Sequence, residues 1–109
     1  VGGTYVERRF ESASGEVIAQ FETPFLAPGG EFRCRWRIIW PDHEHSREAA
    51  GIDGIQALML AMTTVRLELI ESDQYRSGDL TYLSQPDLDL PPTWGSGSLY
   101  DVGPQPNGS

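Results

Sequence analysis

The chain predicts an α+β fold: an antiparallel β-meander of three to four strands with one main helix packed on one face, in the order β-β-β-α-β. Three observations lead there. Residues 31–40 alternate apolar and polar at period two. Residues 53–72 carry a capped run with apolar residues at helical spacing. The connections before residue 31 are short and rich in Gly, Pro and Ser, as hairpins require. A length of 109 residues fits one domain over 1–100, followed by a mobile C-terminal tail over 101–109.

Thr4–Glu11 reads as the first strand, with Tyr5, Val6 and Phe10 as its apolar positions. The turn Ser12-Ala13-Ser14-Gly15 leads to a second strand over Glu16–Thr23. Pro24 removes a ladder donor, so the strand ends, bulges or lies at an edge there. After the turn at Ala27–Gly30, Glu31–Trp40 is the clearest strand. It carries Phe32, Cys34, Trp36, Ile38 and Trp40 on one face, and Arg33, Arg35, Arg37 and Ile39 on the other. Three arginines on one face need acidic neighbours; Glu7, Glu16 and Glu22 are the candidates for cross-strand partners.

Pro41–Gly51 reads as a polar connection. Asp53 then starts the helix as N-cap, with Gln56 reaching back in a capping box. Ile55, Leu58, Met59, Met62, Val65 and Leu69 form its apolar stripe. Leu60, Ala61 and Ile70 broaden it, so a largely buried helix ending near Ser72 is expected. Asp79–Leu83 is a short fourth strand in this reading. From Ser84 onward the chain is turn-like, with Trp94, Leu99 and Tyr100 docking it on the body.

Gly51-Ile52-Asp53-Gly54-Ile55-Gln56-Ala57-Leu58 carries a resemblance. So does its setting between Trp36-Arg37-Ile38-Ile39 and Gly78-Asp79-Leu80-Thr81-Tyr82-Leu83. The chain resembles a family of short uncharacterised bacterial proteins over roughly Val6 to Pro91. Gly54 stands where Ser is expected in many relatives. The resemblance implies a strand-rich N-terminal half with one helix packed on the sheet. It supplies no catalytic residues.

Composition narrows the function classes. The net charge is −8, and all of it lies beyond residue 40, because five Arg and five Glu balance in residues 1–40. A pI near 4.5 argues against binding nucleic acid, whose phosphates need a basic surface, and disfavours anionic membranes. All eight basic residues are Arg, which GC-rich coding explains better than structure does. The single cysteine, Cys34, precludes an intrachain disulfide. No leader-like apolar region opens the sequence, and no apolar run approaches the roughly 18–20 residues that span a bilayer, so a cytoplasmic location is expected. Phosphate-cradling loops, Gly-x-Ser-x-Gly and His-Glu-x-x-His are all missing, and no cofactor is expected.

Asp42-His43-Glu44-His45 is the densest set of metal-ligand types, with His43 and His45 sharing a side if extended. A solvated loop explains the same residues. Asp53 and Gln56 could form a polar pair at a helix N-terminus, where anions bind, although capping accounts for both. Cys34 lies on an apolar face and reads as an inert thiol. Asp79, Asp87 and Asp89 alternate with apolar residues, which suits docking to a basic surface as well as simple solvation. The expectation is a non-enzymatic acidic binding protein, of inhibitor or immunity type, that occludes a basic protein partner through Asp42, Glu44, Glu71, Asp73, Asp79, Asp87 and Asp89. The alternatives are a metal-binding protein or metal-dependent enzyme centred on Asp42–His45, and a structural module that forms a homodimer through its helix.

Overall fold

The computed structural model describes residues 5–91. Its elements are β1 (Tyr5–Ser12), β2 (Gly15–Glu22), β3 (Phe25–Leu26), β4 (Phe32–Ile39), β5 (Glu44–Gly51), α1 (Gly54–Ile70) and the one-turn α2 (Asp73–Arg76). The α+β architecture is as expected, with more strands. The docking of Trp94, Leu99 and Tyr100 and the tail at 101–109 lie outside the described residues.

Strand β4 organises the sheet, and every pairing is antiparallel. Its whole length pairs with β5, from Phe32↔Gly51 to Ile39↔Glu44. A strand has two edges, so β2 and β3 must share the other one. β2 pairs there from Ile18↔Ile39 to Phe21↔Trp36, and β3 pairs at Phe25↔Arg33 and Leu26↔Phe32. Four steps along the β2–β3 side face three along β4, so one residue is extra. Pro24 therefore marks a β-bulge inside one interrupted strand, and the Cys34 thiol donates to the Glu22 carbonyl across it at 3.3 Å. β1 closes the far edge against β2.

The stretch expected as a polar connection is largely β5. Its outward side chains Glu44, Ser46 and Glu48 sit opposite Ile39, Arg37 and Arg35. Its inward ones are His45, Arg47 and Ala49, so neither face shows the apolar alternation that announces a strand. This strand supplies the partners of the β4 arginines. Arg33 binds Glu31 at 2.7 Å and Glu48 at 3.1 Å, and Arg35 binds Glu48 at 2.8 Å. Arg37 lies 3.8 Å from Glu44. Glu7 and Glu16 pair with Arg9 instead. Glu22, on the bulged strand, lies near Arg35 and adds to its basicity. Exposed pairs contribute about 0.2–1 kcal/mol each, so the ladder sets register more than stability.

The other face is the core. Phe10, Val17, Ala19, Phe21, Cys34, Trp36, Ile38 and Trp40 from the sheet meet Ala57, Ala61, Val65 and Leu69 from α1. The helix buries an i, i+4 row centred on two alanines, with Leu58, Met62 and Ile70 packed at its flanks. This corrects the expected broad stripe: Ile55 is 77% exposed and Leu60 44%. Small residues bring the helix close to the sheet. At Gly51 an added Cβ would come within 2.7 Å of the Ala57 nitrogen, so the entry into α1 has room for glycine alone. Asp53 caps α1 as expected, its carboxylate accepting from the Gln56 N–H at 2.8 Å. The Gln56 side chain reaches back one residue further than a capping box, to the Ile52 N–H at 2.8 Å.

Asp79–Leu83 is not a strand. Single bridges, Glu11↔Thr81 and Tyr82↔Gln85, tie this segment down. Leu83 and Ser84 both have positive φ, and Tyr82 and Gln85 exchange backbone hydrogen bonds, which defines a type I′ turn. Leu80, Leu88 and Leu90 are buried beyond the helix, against the β1 side of the sheet. No helix among the described residues is long and apolar enough to cross a membrane.

Candidate functional site

Helix direction decides where the acidic residues go. At 1.5 Å per residue, the 17 residues of α1 span about 25 Å, close to the length of an eight-residue strand. α1 starts beside Gly51 at the end of β5 and folds back over that strand. Its last turns therefore lie over the start of β5, where Glu68 Oε2 meets His45 Nδ1 at 2.5 Å. The β1–β2 turn reaches the same end: Gly15 abuts Pro41, and the Ala13 N–H donates to Asp79 at 2.8 Å.

Four of the expected docking residues therefore share one end of the molecule: Asp42 from the β4–β5 turn, Glu44, which opens β5 and lies 3.8 Å from Arg37, Glu71 as the C-cap of α1, and Asp73 in the first turn of α2. Asp42 has 87% of its side chain exposed. A hydrogen bond with His43 holds its carboxyl below the usual range, so it is ionised throughout neutral pH. Glu71 and Asp73 are exposed. Arg76, the last residue of the one-turn α2, lies beside them.

The remaining three residues do not join this surface as free acids. Asp79 is committed to the Ala13 N–H. Asp87 accepts from the Asp89 N–H at 3.0 Å, on the segment that runs back along β1. Asp89 is 5% exposed and pairs with Arg8 at 3.5 Å, which removes it from any docking surface.

The two histidines are drawn into different contacts. The His43 ring stacks on Trp40 at 5.7 Å, and its Nδ1 lies 2.6 Å from Asp42. His45 stands edge-on to Trp36 at 5.4 Å. The Arg47 Nε–H donates to His45 Nε2 at 3.1 Å, so that nitrogen carries no proton and Nδ1–H donates to Glu68. This Glu68–His45–Arg47 chain ties α1 to β5. Sequence reading missed it, because nothing in one dimension pairs residue 45 with residue 68. Among the described residues, no group of three or more His, Cys, Asp and Glu side chains is placed to hold a metal ion. Burial pushes the Cys34 thiol up to about 11, which leaves it protonated at neutral pH and unsuited to nucleophilic chemistry.

A strand-rich N-terminal half and one helix packed on the sheet are the features that the resemblance led one to expect. Residues 6–92 match the family described as Domain of unknown function (DUF6968). The chain belongs to this family. No curated protein and no solved structure matches it. In this DUF6968 chain, the geometry at the acidic end can supply a directed electrostatic field and hydrogen-bond acceptors.

Proposed function

We propose that this DUF6968 protein is a non-enzymatic binding protein of the bacterial cytoplasm, whose acidic end docks on a basic protein surface in the manner of an inhibitor or immunity protein. The observation that carries the reading is the meeting of Asp42, Glu44, Glu71 and Asp73 at one end, fed by three elements of the fold. A cluster of carboxylates raises the rate of encounter with a cationic partner, by roughly 10 to 10³ where steering is strong. The test is the association rate with a partner captured from the source cell and then purified. The combined variant Asp42→Asn, Glu44→Gln, Glu71→Gln, Asp73→Asn should slow association tenfold or more and flatten its salt dependence. Association that is equally fast in the variant and at high salt would remove the reading.

A second reading, self-association, has its own observation. Between Gly54 and Val65 α1 carries no charged side chain, in a chain of net charge −8. Its outward side exposes Ile55 and Leu60. That uncharged side is where two copies can meet without opposing like charges. Leu60→Glu should return a concentration-dependent dimer to the monomer mass; a wild-type chain that is monomeric at every concentration rules the dimer out.

A further inference from the structure

The sheet face opposite α1 carries a second, chemically distinct site. The register aligns two rows of side chains across four strands. One is Glu7–Gln20–Arg37–Ser46; the other is Tyr5–Glu22 beside Arg35–Glu48. Between these rows lies a depression of about 570 Å³. That is within the roughly 300–1,000 Å³ typical of small-molecule sites.

The arginines on this face are not equally engaged. Arg9, Arg33 and Arg35 each hold a carboxylate at 2.8 Å or less. Arg37 makes one contact, from Nε to Glu44, at 3.8 Å. Its two Nη groups, the fork that grips a carboxylate at two points, make no side-chain hydrogen bond among the described residues. Its neighbours in register are the neutral donors Gln20 and Ser46. Glu22 is the counterpart of opposite sign: its carboxylate accepts no hydrogen bond among the described residues, although Arg35 stands nearby.

We propose that this depression binds a short peptide as a zwitterion, its carboxylate on Arg37 and Ser46 and its ammonium on Glu22. The mixed lining selects the class. The charged lining is Arg35, Arg37 and Arg47 with Glu22 and Glu48, so a simple cation would meet three arginines and a simple anion would leave Glu22 unanswered. The backbone spacing accommodates a short peptide. Arg37 and Glu22 lie on adjacent strands offset by two residues, so their Cα atoms are about 8 Å apart. The termini of an extended dipeptide are about 7 Å apart. The site draws Ser46 and Glu48 from β5, and Arg37 links it to Glu44 through their 3.8 Å contact.

Backbone amide NMR, followed at Gln20, Arg37 and Ser46 during titration with alanylalanine, tests the proposal. Saturable shifts at these amides are expected. N-acetyl-alanylalanine lacks the ammonium and alanylalanine amide lacks the carboxylate; each should bind roughly tenfold or more weakly. Arg37→Gln should bind alanylalanine and its amide equally weakly, and Glu22→Gln should no longer distinguish the acetylated form. The capped peptides test the wild-type chain directly, so a misfolded variant would not rescue the idea. No shifts with alanylalanine, capped forms that bind as tightly, or shifts confined to residues 42–44 and 68–73 would each overturn it.

Discussion

One face of the sheet is closed by two unlike covers. Over β4 and β5 the cover is α1, which buries Ala57, Ala61, Val65 and Leu69 in a single row. Over β1 it is residues 80–91, which bury Leu80, Leu88 and Leu90 with isolated bridges for secondary structure. The two satisfy their backbones differently. A helix bonds its own amides and needs outside partners just at its ends, which Asp53 supplies at the start by accepting from the Gln56 N–H. The irregular cover depends on particular side chains. Glu11 accepts from the Ser84 N–H at 3.0 Å, the Leu83 N–H at 3.3 Å and the Thr81 hydroxyl at 3.0 Å. Gln85 and Asp87 accept from the Asp87 and Asp89 N–H groups, both at 3.0 Å. Arg8 stacks on Tyr82 at 4.6 Å and donates to the Asp89 carbonyl. A regular cover therefore asks for an apolar pattern, and an irregular one asks for specific polar residues.

The largest test asks whether the two covers belong to one cooperative core. Leu69 is fully buried under the helix and Leu88 is 2% exposed under the irregular segment. Leu69→Ala and Leu88→Ala should each cost about 2–5 kcal/mol in denaturant unfolding. If Leu88→Ala costs far less, and hydrogen exchange shows residues 80–91 opening apart from the helix, the second cover is a local unit and the two are not equivalent.

The same contrast explains what could be read in one dimension. The faces of β4 and the Asp53 cap followed from period and capping chemistry, both local rules. β5 escaped because its outward Glu44 and Glu48 answer the arginines of β4, while inward His45 meets Glu68 of the helix and accepts from Arg47; its polarity is paid back by neighbours, not by its own pattern. Without that strand, the arginine partners were sought on β1 and β2. The helix stripe was misplaced because alanine is a weak apolar signal, yet Ala57 and Ala61 are what let α1 approach the sheet. The acidic residues could be named but not gathered, since their meeting depends on α1 folding back over β5. Asp89 looked like Asp87 in sequence and became buried because Arg8 reaches it from a strand 81 residues away.

A middle-sized effect isolates the polar support of the irregular cover. The Ser84 N–H, first, then the Thr81 hydroxyl and the Leu83 N–H hold the Glu11 carboxyl below its usual value, against a smaller opposing effect of burial. A carboxyl with a lowered folded pKa contributes stability that is complete above the unfolded value near 4.3 and fades as pH falls through the folded value. Acidification below about pH 4 should therefore loosen the turn at Leu83 and Ser84, followed by their amide shifts. Glu11→Gln should cost about 1–2 kcal/mol at neutral pH and abolish that acid-dependent change. An unchanged acid response in the variant would mean that Glu11 does not hold the turn.

The smallest effect concerns the turn itself and runs in the stabilising direction. Leu83 has φ 51 and Ser84 φ 65, a left-handed pair that the type I′ turn requires and that branched or bulky side chains resist. Leu83 is 59% exposed, so its side chain gives little packing in return. Asn tolerates this backbone region and is preferred at the first central position of such turns. Leu83→Asn should therefore raise stability by about 0.5–1 kcal/mol, read as a higher midpoint in thermal unfolding. The helix side offers a control: Ile55 is also exposed, but it sits in helical backbone, where Asn is a poorer residue, so Ile55→Asn should lower the midpoint. Opposite signs for one replacement at two exposed apolar positions would show that the backbone each cover adopts sets the cost of its residues. Equal signs would mean that the strain at Leu83 is absorbed elsewhere, in which case Glu11 grips a turn that was already at rest.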